Sequence, residues 1–169
     1  MKRRYLIRGL LFVPAMIGVV LLLLWIRQLN SPVIHGRSTV EWRRIFEETD
    51  SPEERQEAAE ALIEALCVTR GPSRVYTVKP LALWVLENPD KQLNLPPAAS
   101  LVLGDALKDK DGAVRMYSLV VLQHMGPKAK EAVPAILELL NGPHSEDRRD
   151  AVKALWKIDP EAAAKAEHP

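Results

Sequence analysis

From Val40 onward the apolar residues of this chain recur at steps of three and four, and proline, glycine or a capping residue interrupts them at short intervals. No stretch sustains the period-two alternation of a half-buried strand. Ser38 or Thr39 is placed to cap a helix from about Val40 to Glu48. Ser51-Pro52-Glu53-Glu54 combines a capping box with proline at the first helical position, and opens a helix that runs to about Val68. Its apolar stripe is Ala58, Ala61, Leu62, Ala65 and Leu66. Gly71-Pro72 breaks the chain, and the pattern predicts a helix over about 74–87, bent or restarted at Pro80. Asn88 to Pro97 is irregular, because its prolines fix dihedrals and remove donors. Further helices are predicted over about 97–108, 112–125, 128–140 and 146–158. In the third of these Ala129, Ala132, Val133, Ile136, Leu137 and Leu140 form a one-sided stripe.

The later helices nearly repeat one another. Ala99, Leu107, Arg115, Leu122 and Pro127 return 33 positions on as Ala132, Leu140, Arg148, Leu155 and Pro160. Small or apolar residues match at Ser118 and Ala151, Val121 and Ala154, and Met125 and Ile158. A fixed period of this length marks stacked units, none of which buries its apolar face alone. The fold class expected is therefore all-α, an α-solenoid of antiparallel helix pairs, and such a row favours binding over catalysis.

A different pattern precedes it. Lys2, Arg3, Arg4 and Arg8 stand before an uncharged, mostly apolar run from Gly9 to Ile26. As a helix that run covers roughly 27 Å, near the thickness of a bilayer's hydrocarbon core, and Trp25 with Arg27 falls at the interface. A cleaved signal peptide is the competing reading, but its apolar core is normally shorter, and residues 27–32 offer no convincing cleavage site. The division expected is a basic flank 1–8, a transmembrane anchor 9–26, a stem 27–38, and a helical repeat domain 39–166 with an irregular middle 69–97. Four basic residues and the amino terminus precede the span, against Arg27, Arg37, Arg43 and Arg44 after it. The expected orientation is a cytoplasmic N-terminus with the helical domain outside the cytoplasm.

Charge narrows the choice of partner. The chain has 23 basic and 22 acidic residues, and five of the basic ones lie in residues 1–27, so the remainder is mildly acidic. That balance argues against a nucleic-acid clamp, which needs a basic stripe. The single cysteine, Cys67, excludes an internal disulfide.

The repeat resembles HEAT-type repeats, including the bacterial phycobilisome-lyase-like ones. The resemblance rests on Leu107-Lys108-Asp109-Lys110-Asp111-Gly112-Ala113-Val114-Arg115, on Ser118, Leu122 and Gly126-Pro127, and on residues 132–140. Arg55, Ala58, Ala61, Leu62 and Ala65 repeat the second-helix signature, so the likeness touches most of residues 39–160. It departs between Val68 and Pro97, where the 33-residue spacing fails. The resemblance implies a curved, armadillo-like stack, and with the anchor it implies a membrane-tethered scaffold or adaptor that binds another protein without catalysis. An accessory protein of tetrapyrrole-attachment lyase type is the alternative that the family suggests, and a nucleic-acid-binding HEAT protein is a third.

Arg55, Arg115 and Arg148 each fall near the start of a helix, where the macrodipole disfavours a cation. They are read as a structural ladder reaching carbonyls or acids of adjacent turns, with Asp109, Asp111 and Asp147 close in sequence; an anion-binding strip is the functional alternative. His35, His124, His144 and His168 lie far apart, so no metal site is expected, and no cofactor loop or nucleophile elbow is present. Cys67 is read as a small buried residue, and Trp42, Phe46, Trp84, Tyr117 and Trp156 as core. The tail from Pro160 reads as a polar end cap.

One comparison between repeats points to a surface. Where the later helix carries Arg149, Asp150 and Lys153, the earlier one carries Met116, Tyr117 and Val120. Either residues 74–97 fold over these apolar positions, or they form an exposed patch for a protein partner.

Overall fold

The computed structural model describes residues 31–69, 73–143 and 146–167, together with Val19. The basic flank and, Val19 apart, the apolar run 9–26 lie outside the described residues. Among the described residues no helix is long and apolar enough to cross a membrane. The chain divides into two units, Met1–Ser31 and Pro32–Pro169, and the second is described below.

Capping residues set most of the helix starts. Ser38 closes a full capping box with Glu41 and opens α1, Thr39–Glu48. Ser51 accepts the Glu54 N–H and opens α2, Pro52–Val68, with proline in its first turn. α3 is Ser73–Glu87 and α4 is Ala99–Ala106. Asp111 accepts the Ala113 N–H and opens α5, Gly112–Met125. α5 ends at Gly126, whose φ of 57° lies in the left-handed region that glycine adopts without strain.

Pro80 and Pro134 both fall well inside predicted helices. Pro80 lies within α3, which runs on without restarting. The helix expected over 128–140 is instead a 3-10 stretch, Gly126–Ala132, followed by α6, Val133–Asn141. Pro134 has no N–H to donate to the Lys130 carbonyl, so the Val133 N–H takes that acceptor in the tighter pattern. The chain finishes with α7, Arg148–Ile158, and α8, Pro160–Glu167.

These helices pack in two rows. α1, α3, α5 and α7 each touch the next, while α2 touches α4, and α4 touches both the 3-10 stretch and α6. Consecutive pairs α1–α2, α2–α3, α4–α5, α6–α7 and α7–α8 also pack together. The rows share one core, in which the positions matched across 33 residues play equivalent parts. Ala99 and Ala132, Ser118 and Ala151, Val121 and Ala154, Leu122 and Leu155, and Met125 and Ile158 are all buried. Close approach is built in at Gly104, where a Cβ would stand 3.4 Å from that of Ala135. Ala163 of α8 is buried too, so the tail closes the last helix pair.

The segment read as a stem proves to be partly structured. Val33–Ile34 (β1) pairs antiparallel with Arg37–Ser38 (β2), with Val33 opposite Ser38. His35 and Gly36 have φ of 49° and 80°, the signature of a two-residue primed turn. The hairpin is tied to α1 through Trp42, whose Nε1 donates to the Ile34 carbonyl at 2.7 Å, and Ile34 is buried. Strands of two residues are too short to register as alternation, which is why the sequence pattern missed them.

The proline-rich segment after α3 is irregular but pinned. Leu93 and Leu95 are buried, and the Gln56 side chain both donates to the Asn94 carbonyl at 2.8 Å and accepts its N–H at 3.1 Å. Lys128 donates to Asn94 Oδ1 at 2.7 Å, and the Leu93 N–H donates to His124 Nε2 at 3.3 Å. Burial holds His124 below its ordinary value of 6.5, since the imidazolium would be poorly solvated and would lose this acceptor. The folded state therefore binds this proton less readily than the unfolded chain. The stability involved is present above pH 6.5 and is lost as the pH falls from there through the lower folded-state value. Thermal melts at pH 8 and pH 5 should show a smaller acid-induced drop for His124→Gln than for wild type; equal drops would remove His124 as the cause.

Candidate functional site

Two groups of the residues singled out by sequence, Arg115 and the set Met116, Tyr117 and Val120, lie on two sides of α5 and its neighbours. On one side a chain of charge contacts links successive helices. Arg115 is 2% exposed; its Nε donates to Asp147 at 2.5 Å and its Nη2 to Glu146 at 3.1 Å. Its Nη1 bonds the carbonyls of Asp109 at 2.9 Å and Lys110 at 3.2 Å. Gly112 leaves the space for this arrangement, since a Cβ there would meet Arg115 Nη2 at 3.3 Å. The helix-dipole penalty is thus offset by an acid supplied from the turn before α7.

Arg74, which the sequence reading did not select, makes the same kind of contact one helix earlier. Buried in the first turn of α3, it donates to Asp109 at 2.8 Å and reaches Asp105 at 3.4 Å. Asp109 therefore joins two rungs: one carboxylate oxygen takes Arg74, the other takes the Asp111 N–H at 2.9 Å, and its carbonyl takes Arg115. The available signal was a spacing: Arg74 precedes Asp109 by 35 residues, as Arg115 precedes Asp147 by 32.

The other two arginines do not share this geometry. Arg55 is half-buried, donates to the Thr49 carbonyl, and lies 5.8 Å from the Trp84 ring centroid, so it ties α2 to the preceding turn and to α3. Arg148 is exposed and takes no part in the ladder. It is the first residue of α7 whereas Arg115 is the fourth of α5, and no described helix follows α7 in its row to supply an acid. The 33-residue match of Arg115 with Arg148 is therefore one of sequence and not of role.

On the solvent side of α5, Met116 is 39% exposed, while Tyr117 and Val120 are half-buried against the core. α3 packs beside α5, so the helix that falls where the 33-residue spacing fails has partners in α1, α2 and α5. It does not cover Met116, and it adds exposed Tyr76, Leu83 and Leu86 of its own. Tyr76 stands two residues past Arg74 as Tyr117 stands two past Arg115, which sets the tyrosines at equivalent places on neighbouring helices. Trp156 of α7 is 45% exposed, contrary to the core role expected of it. Cys67 is likewise exposed, because it lies on the outer face of α2 opposite the buried stripe of Ala58, Leu62 and Ala65.

Among the described residues no group of histidine, cysteine, aspartate and glutamate is arranged to hold a metal ion. The arrangement offers a mostly helical array of paired helices with a buried charge ladder and with exposed apolar side chains on α3, α5 and α7. Compared with family models, curated proteins and solved structures, the chain gives no match in any of the three.

Proposed function

We propose that this protein is a membrane-tethered, non-catalytic scaffold: a HEAT-like α-solenoid that binds another protein close to a bilayer. The observation that carries the reading is the exposure of large apolar side chains on three neighbouring helices, Tyr76, Leu83 and Leu86 on α3, Met116 on α5 and Trp156 on α7. Large apolar side chains exposed on neighbouring helices favour an interface, with aromatic residues and methionine as its anchors. The two-row packing and the buried 33-residue matches support the solenoid. The apolar run 9–26 and its basic flank support an uncleaved anchor, with the N-terminus cytoplasmic and the helical domain outside.

The test uses full-length protein in mild detergent. After a carbonate wash the chain should remain in the membrane pellet and keep its N-terminal residues by mass spectrometry; a soluble chain starting near residue 30 would remove the anchor. A partner captured by wild type should be lost from Met116→Glu and Val120→Glu by about tenfold in affinity, the scale of an interface anchor. Val120 is half-buried, so its variant is read alongside a melting curve: lost stability assigns Val120 to internal packing, and lost capture at equal stability assigns it to the interface. Capture unchanged in both variants sinks the site.

A further inference from the structure

Helix α7 turns Ala151, Ala154, Leu155 and Ile158 to the core and carries its cations on the other side, where Arg148, Arg149, Lys153, Trp156 and Lys157 are exposed. Arg149, Lys153 and Lys157 follow one another at steps of four, so they form a stripe roughly 12 Å long with Trp156 beside it. Like charges at that spacing repel, and Arg148 and Arg149 also stand in the first turn, where the macrodipole disfavours a cation. Arg74 and Arg115 meet the same penalty with acids supplied from elsewhere in the unit. Among the described residues the acid paired with the α7 stripe is Asp150, 3.0 Å from Lys153 and 3.9 Å from Arg149. Asp147 and Glu146 are engaged by Arg115, and Glu161 by Lys165. The stripe therefore keeps an excess of positive charge.

The opposite charge lies on α2. Glu53, Glu57, Glu60 and Glu64 are exposed at steps of four, three and four, a stripe roughly 16 Å long on the side away from the buried Ala58, Leu62 and Ala65. Ser51 donates to Glu53, Gln56 donates to Glu60, and His35 Nε2 lies 3.3 Å from Glu64. Among the described residues no lysine or arginine pairs with any of the four. Cations of the neighbouring elements are engaged elsewhere: Arg37 over the Trp42 ring, Arg43 with Glu47, Arg74 on Asp109 and Lys108 with Glu138. Both stripes are exposed, so neither is neutralised by the other within one copy.

We propose that the basic α7 face binds the acidic α2 face of a second copy of this chain. The two stripes have nearly the same steps and match in length to about one helical turn, so one helix laid along the other brings cations onto carboxylates and removes the repulsion within both. Trp156 lies within the α7 face and supplies the kind of aromatic side chain that anchors an interface. Outside residues 1–27 the chain carries only a mild net charge, which does little to hold copies apart. The pairing needs neither the membrane anchor nor the Met116 surface, and its failure leaves both standing.

The test mixes unlabelled full-length protein with an isotope-labelled batch in mild detergent and couples touching carboxylates to amines with a carbodiimide. Mass spectrometry should find mixed-isotope peptides joining Lys153 or Lys157 to Glu57, Glu60 or Glu64, and high salt should suppress them. Two double variants at exposed positions, Arg149→Glu with Lys153→Glu and Glu57→Lys with Glu60→Lys, should each show at least about tenfold fewer links between copies, because like charges then face each other. An equimolar mixture of the two variants should restore linking, since each reversed face meets its opposite. Where a reversal fails to fold, Arg149→Gln with Lys153→Gln or Glu57→Gln with Glu60→Gln should reduce the links in the same direction. Mixed-isotope links that are absent from wild type, that survive either reversal, or that the mixture does not restore overturn the proposal. If coupling in native membranes joins Lys153 and Lys157 only to carboxylates of a different protein, the α7 face belongs to that acidic partner, and self-pairing is overturned as well.

Discussion

Replacing Arg115 by methionine should lower the unfolding free energy by about 3–5 kcal/mol, the cost of breaking a buried pair from one side. The size follows from what is left behind. Asp147 is only 8% exposed at its side chain, and would be left without its arginine partner. The carbonyls of Asp109 and Lys110 would lose a donor as well. A drop in Tm on the order of 10 °C, followed by helical circular dichroism, would match this cost. Replacing both members, Arg115→Met with Asp147→Leu, should recover more than half of the loss, because the uncompensated charge goes with its partner. An unchanged Tm together with loss of a bound partner would instead favour the anion-binding strip.

The second large effect is expected at Leu122. It is fully buried in α5, which has α3 on one side and α7 on the other, so the cavity left by Leu122→Ala cannot easily collapse. The expected loss is about 2–5 kcal/mol in urea denaturation. Leu155, its counterpart 33 residues on, is equally buried, but among the described residues α7 has only α5 beside it within the row. Its replacement by alanine should cost less, since a terminal helix can shift to fill the gap. A larger loss at Leu155 than at Leu122 would contradict the stacking order.

Much of the helical framework was legible because its signals are local. Ser51 and Asp111 cap helices from within a few residues, Gly126 ends α5 at its positive φ, and the apolar steps of three and four select a buried face for each helix. The misreadings have physical causes as well. Helix α6 starts late because Pro134 cannot donate, an effect confined to one hydrogen bond inside an otherwise unbroken apolar stripe. Residue type alone places Trp156 in the core, although its exposure depends on which neighbour reaches that side of α7. The candidate face was half legible. The contrast of Met116, Tyr117 and Val120 with Arg149, Asp150 and Lys153 could be read along the chain, but the contributions of Tyr76, Leu83 and Leu86 depend on α3 lying beside α5.

Arg74 and Arg55 mark the division between the two levels. By itself the sequence determined the helical class, the breaks between helices and the 33-residue match, since each depends on interactions within a few turns or on direct comparison of positions. Only the tertiary structure decided that Arg74 shares Asp109 with the rung above, that Arg148 is left at the surface, and that Gln56 holds Asn94. Those pairings join residues separated by tens of positions, and packing of the two rows selects them from many partners that the local pattern leaves equivalent.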